Sequence, residues 1–118
     1  MMPARAAAQV WRLVLPGGDQ VVPVAGALYL GRDPRDVLNR PDASLLPAHD
    51  PSRSLSKTHA LIEVDGGILW AHDLDSMNGV VVAAPGVEAI EVAPGVRQPV
   101  PDGAELELGE YVIRVRLG

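Results

Sequence analysis

From Ala104 to Leu117 the chain alternates between apolar and polar positions with a period of two. Leu106 and Leu108 stand against Glu105 and Glu107, and Tyr111, Ile113, Val115 and Leu117 against Arg114 and Arg116. Successive side chains of a strand point to opposite faces, so this pattern predicts two half-buried strands over Ala104–Leu108 and Tyr111–Leu117. The same reading gives a first strand over Val10–Leu15, with Trp11, Leu13 and Leu15 on one face and Arg12 on the other. After the turn Pro16-Gly17-Gly18-Asp19 a strand returns over Gln20–Val24, and a third covers Ala27–Leu30. Pro23 has no N–H to donate, which places the return strand at a sheet edge or a bulge.

The stretch from Ser56 to Gly79 carries the most information. It reads as two strands, roughly Thr58–Val64 and Ile68–Asp73, joined at Asp65-Gly66-Gly67. Glycine tolerates positive φ without steric cost, so Asp-Gly-Gly between two apolar runs predicts a hairpin turn. Such a hairpin sets its outer ends side by side, with Ser56, Lys57 and His59 near Asp75, Ser76, Met77 and Asn78. Polar groups gathered on loops of a rigid scaffold are where function tends to reside. Further strands are expected at Val80–Ala83, Val87–Val92 and Val96–Val100, separated by Pro-Gly turns. Asp33–Arg53 is a long polar segment interrupted by prolines. It reads as a functional or mobile loop, with at most a helical turn over Asp36–Arg40. Many short strands at regular turn spacing predict an all-β sandwich or barrel.

Composition supports that class. Val and Ile favour strands, and 12 Gly with 11 Pro supply turns. At 118 residues the chain has the length of one domain. Residues 1–9 are read as a flexible N-terminal segment and residues 10–118 as the domain. With no cysteine, disulfides and thiolate metal sites are excluded. Nothing approaches the roughly 20 consecutive apolar residues of a membrane-spanning helix, so no membrane insertion and a cytoplasmic location are expected.

The net charge of −5 argues against a nucleic-acid partner, which calls for a basic stripe. The cations are concentrated in one region. Five basic and four acidic residues lie between Arg32 and Lys57, whereas Asp65–Glu110 holds nine acidic residues and one base, Arg97.

Three fragments carry the candidate chemistry: Gly31-Arg32, Ser56-Lys57-Thr58-His59, and Asp73-Leu74-Asp75-Ser76-Met77-Asn78-Gly79. They supply a guanidinium, a hydroxyl, an ammonium, an imidazole and a carboxamide, nearly all able to donate hydrogen bonds at neutral pH. A donor-rich, locally cationic pole suits a dianionic oxygen group such as phosphate. Gly-Arg at a strand end, then Ser-x-x-His, then Asp-Leu-x-Ser-x-Asn-Gly after a hairpin resembles the forkhead-associated (FHA) domain family. The ending Asp-Gly-Ala-Glu-Leu-Glu-Leu-Gly at Asp102–Gly109 is similar as well, and the resemblance spans about Ala27 to Leu117.

The resemblance implies an antiparallel β-sandwich of about eleven strands that reads phosphothreonine peptides with loops at one end. Carried over by position, it implies that Arg32, Ser56 and Lys57 bind the phosphate and that Asn78 clamps the peptide backbone. Gly31, His59, Asp73, Ser76 and Gly79 would then support the loops. Met77 departs from the family, which often has Thr or another polar residue there. It leaves a backbone N–H for the phosphate and an apolar side chain to pack on peptide or loop. Asn78 before Gly79 also fits a left-handed turn residue. Arg35, Arg40 and Arg53 read as solvated loop charges, with Arg53 an uncertain member of the site, and His49 and His72 carry no motif.

Catalytic readings are weak. Ser54-x-x-Lys57 imitates a motif of penicillin-recognising enzymes whose other motifs are missing, and Ser56, His59 and Asp73 lack a nucleophile elbow. Three histidines without Cys or metal-ligand spacing make a weak metal site at best. The expectation is a non-enzymatic module with no catalytic residues, no metal and no cofactor. Its partner would be a threonine-phosphorylated protein or a serine/threonine kinase. The alternative is a docking or assembly domain that binds independently of phosphate.

Overall fold

Alternation builds strands largely where the sequence predicts them. The structure, a computed structural model, describes residues 9–118, so the expected flexible segment lies outside the described residues except for Gln9. Eleven strands follow in order: β1 (Trp11–Val14), β2 (Val21–Val24), β3 (Ala27–Gly31), β4 (Ser44–Pro47), β5 (Ala60–Asp65), β6 (Ile68–Asp73), β7 (Val80–Ala83), β8 (Ile90–Glu91), β9 (Gln98–Val100), β10 (Glu105–Leu108) and β11 (Tyr111–Leu117). They form a six-stranded sheet in the order β2-β1-β11-β10-β7-β8 and a five-stranded sheet in the order β4-β3-β5-β6-β9. The protein is an all-β sandwich. Pro23 indeed lies on an edge strand, β2.

The core fills the space between the sheets. Leu13, Ile62, Leu69, Leu106, Leu108, Ile113 and Val115 are fully buried there. Burying each such side chain stabilises the fold by about 1.5–3 kcal/mol against leaving it in water. The outer face of the five-stranded sheet is also covered. Ala27, Tyr29 and Leu61 form a second buried cluster, with Ala43 and Leu74 packed against it.

The Asp65–Gly67 turn closes as expected. Gly66 and Gly67 have φ of 63° and 77°, the two positive values that a tight hairpin turn requires. Ala60 to Asp65 pair in register with Asp73 to Ile68, which sets the open end of the hairpin at one pole of the sandwich.

The chain differs from expectation in three places. The long segment after Arg32 contains β4, which pairs parallel to β3, whereas the other paired strands are antiparallel. No helical turn forms over Asp36–Arg40, because the Leu38 and Arg40 amides donate to the Tyr29 hydroxyl and the Asp36 carboxylate. The strands expected at Val87–Val92 and Val96–Val100 shrink to β8 and β9. Val87 and Val96 close the Pro-Gly turns by donating to Ala84 and Ala93.

Candidate functional site

Strand pairing continues past the strand ends and assembles the pole. The Arg32 and Asp33 amides donate to the Ser56 and Lys57 carbonyls at 3.0 Å, and the His59 amide donates to Leu30 at 2.9 Å. This close approach requires Gly31, since a Cβ there would collide with the Lys57 carbonyl. The Ala48 amide in turn donates to the Gly31 carbonyl at 2.9 Å. Arg32, Ser56 and Lys57 are thereby held on neighbouring backbone.

His59 is fully buried beneath them. Its Nδ1 accepts the Ser56 amide at 3.0 Å, so Nε2 carries the hydrogen and donates to the Gly79 carbonyl at 2.8 Å. One imidazole thus ties the entering loop to the leaving one. Both ring nitrogens are occupied by backbone, so His59 is not placed to act as a base for the Ser56 hydroxyl.

Asp73 organises the leaving loop. Its Oδ1 accepts the Ser76 amide at 3.0 Å and the Ser76 hydroxyl at 2.6 Å, and Ser76 Oγ accepts the Gly79 amide. The left-handed positions of this loop are Asp75 (φ 57°) and Gly79 (φ 76°). Asn78, expected as a left-handed turn residue, is not one. Its carboxamide instead donates to the Ser54 carbonyl at 2.8 Å.

A second carboxylate organises the entering loop, and the sequence reading passed over it. Asp50 accepts the amides of Ser52, Ser54 and Leu55 and the hydroxyls of Ser52 and Ser54. Burial pushes its carboxyl up, but those hydrogen bonds outweigh it and hold the pKa down to about 2. Ser54 Oγ also accepts the Glu110 amide at 2.8 Å, which locks the loop to the β10–β11 turn. Asp50-Pro51-Ser52 followed by Ser54 is a turn signature that could have revealed this brace. Thr58 was missed too; its Oγ1 accepts the Arg35 amide and fixes the start of the β3–β4 loop.

Met77 departs from expectation at its amide, which is already taken by Ser56 Oγ at 2.9 Å. Its side chain is 87% exposed, which excludes packing on a loop and leaves it open to a peptide. Because Ser56 Oγ accepts that bond, its own hydrogen points away from Met77 and is available to a ligand.

Among the described residues, Arg32, Arg53 and Lys57 are exposed and pair with no carboxylate, while Arg35 meets Asp33 at 3.5 Å. Arg53 takes a left-handed backbone (φ 59°). Arg40 is not the solvated loop charge expected. Arg40 Nη1 meets Glu63 at 3.0 Å, and His72 Nε2 meets the other Glu63 oxygen at 2.7 Å. Burial pushes the Glu63 carboxyl up, but His72 and Arg40 outweigh it and hold it below its usual range. The site therefore offers unpaired cations, a free hydroxyl hydrogen and the remaining atoms of the Asn78 carboxamide. Among the described residues, no cluster of acidic and histidine side chains is arranged to hold a metal.

The sequence profile of the FHA domain matches residues 28–109. No curated protein sequence matches the chain. Among solved structures, the Rv0020c FHA domain is 26% identical, with 98% of this chain and all of that one covered, at a TM-score of 0.62. The FHA domain of human APLF, solved with an XRCC1 bisphosphopeptide, is 22% identical over 91% of this chain and 97% of that one, at 0.66. The FhaA FHA domain, complexed with the intracellular domain of Rv3910, is 24% identical over 90% and 99%, at 0.63.

Proposed function

The chain belongs to the FHA domain family, and from that premise we propose that it is a phosphopeptide-binding module that reads phosphothreonine in a partner protein. The observation that carries this reading is the pole itself. Arg32 and Lys57 stand without acidic partners beside a Ser56 hydroxyl whose hydrogen is free. A phosphate dianion would take charge-assisted hydrogen bonds from all three. Asn78, braced on Ser54, offers its carboxamide oxygen and second N–H to the peptide backbone. Gly31, His59, Asp73, Ser76 and Gly79 support these groups, and Arg53 adds positive field at the rim.

The module acts by binding and has no catalytic residues. Its partner is a threonine-phosphorylated protein or a serine/threonine kinase, and its place of action is the cytoplasm. Among the described residues, no helix is long and apolar enough to cross a membrane. Complexes of APLF with a bisphosphopeptide and of EmbR with a phosphopeptide support the ligand class.

A phosphothreonine peptide array, with unphosphorylated copies, tests the reading. Arg32→Ala should reduce capture by about a hundredfold with an unchanged melting temperature. Affinity should also fall as the pH drops through about 6, where phosphate loses its second charge. Equal capture of the unphosphorylated copies would instead favour phosphate-independent docking. The spent Met77 amide is the observation on that side, since it leaves the phosphate one donor fewer.

A further inference from the structure

The outer face of the six-stranded sheet carries its charges in two groups. Leu13, Leu106, Leu108, Ile113 and Val115 belong to the core. Their alternate neighbours Arg12, Glu105, Glu107, Arg114 and Arg116 therefore stand on the outer face. Glu91 joins them, because it pairs with Val81, whose neighbours Val80 and Val82 are both in the core. The pairing register fixes where each charge lies. Arg12 is opposite Arg116, and Arg114 stands two residues back along β11. Glu107 is opposite Val81 on one side and Val112 on the other, and Val81 is opposite Glu91. Three cations thus occupy one corner of the face, on β1 and β11, and three anions the diagonally opposed corner, on β10 and β8.

Among the described residues none of these six forms an ion pair, not even Arg114 and Glu105, which are directly opposed in register. Val14, Val81, Ala83 and Val112 fill outward positions around them. A partner of one charge sign would be repelled by half of such a face. Equal and separated opposite charges are instead complementary to a second copy of themselves. Rotation by 180° about an axis lying in the face, perpendicular to the line joining the two corners, sets the arginines of each copy over the glutamates of the other.

We propose that this face is an association surface for a second copy of the chain, forming a two-fold dimer held by reciprocal contacts of Arg12, Arg114 and Arg116 with Glu91, Glu105 and Glu107. The face measures about 25 Å across the strands and 15 Å along them, so a pair buries on the order of 1,000 Å² in total. That is the low end for specific association, and it sets a weak, reversible dimer with a Kd on the order of 100 µM. The phosphate pole lies off this face, at the strand ends where Ser54 holds the β10–β11 turn, so association leaves both poles open. The inference does not depend on what that pole binds.

Analytical ultracentrifugation of the chain tests it. At about 500 µM protein and 50 mM salt the chain should sediment mostly as a dimer, and at about 5 µM as a monomer. Raising the salt to about 500 mM should weaken the dimer at least tenfold, since the contacts join exposed charges. Two charge-reversed chains then identify the face. Arg114→Glu with Arg116→Glu makes it mainly acidic, and Glu105→Arg with Glu107→Arg makes it mainly basic. Each should remain monomeric by itself at the high concentration, and the two mixed in equal amounts should associate at least as tightly as the wild type. A wild type that stays monomeric, a reversed chain that still dimerises alone, or a mixture that fails to associate would each overturn the proposal. Species larger than a dimer would overturn it too, because a two-fold pair closes on itself.

Discussion

The two sheets expose very different outer faces. That of the six-stranded sheet is bare, with Arg12, Arg114 and Arg116 on neighbouring strands and Arg12 directly opposite Arg116. That of the five-stranded sheet lies under the β3–β4 loop, and all five residues of β3 are buried. There Tyr29 pins the loop through its hydroxyl, and Glu63 gathers Arg40 and His72. Arg97, 2.9 Å from Asp65, lies with its guanidinium 3.8 Å over the Trp70 ring. The covered face thus holds the polar interactions that fix the loop beginning at Arg32, whereas the bare face, within one chain, serves mainly to close the core. The proposed phosphate site sits at the end of the better-braced sheet.

Tyr29→Ala should break this difference most severely. It removes a large buried side chain and leaves Asp36 and the Leu38 amide without their partner, a loss of about 3–5 kcal/mol measurable by urea denaturation. Glu63→Gln comes next, at about 1.5–3 kcal/mol at neutral pH, since hydrogen bonds to a charged group are being weakened. Its pH dependence has a definite sign. The folded Glu63 carboxyl is held below its unfolded range, so its contribution is fully present above that range, shrinks as the pH falls below it and is gone once the pH has passed through the lower, folded value. The stability gap between wild type and Glu63→Gln should therefore narrow on acidification; a gap that widens would reverse the assignment.

Tyr29→Phe keeps the packing and deletes only the hydroxyl. It should cost about 1 kcal/mol and speed hydrogen exchange at the Leu38 amide, with little change at β5 and β6. On the bare face, Arg116→Thr should change stability by less than about 0.5 kcal/mol, and toward higher stability, because it relieves the like-charge opposition to Arg12. A larger loss there would mean that the bare face is as strongly coupled as the covered one.

The contrast also explains how far the sequence could be read. Period-two alternation was legible on the bare sheet because one face meets water, and β10 and β11 lie within a residue of their expected limits. On β3 and β5 both faces are covered, so alternation fades and Tyr29 gives no sign of its partners. Strand β4 escaped notice because it is a short, mostly exposed edge strand that, among the described residues, pairs with β3 alone.

By itself, the sequence determined the strand periodicity, the Gly66-Gly67 hairpin and the convergence of Ser56, Lys57 and Asn78 at its open end, because these follow from local sterics and short-range chain geometry, whereas Arg32, outside the hairpin, joined them only through the family resemblance. Only the tertiary structure decided how that pole is held. The Asp50 brace, the His59 bridge, the spending of the Met77 amide on Ser56, and the hold of Tyr29 on Asp36 and Leu38 are hydrogen bonds whose partners are chosen by the packing of distant strands. Their residue types announce a capacity to bond, and the fold selects the partner.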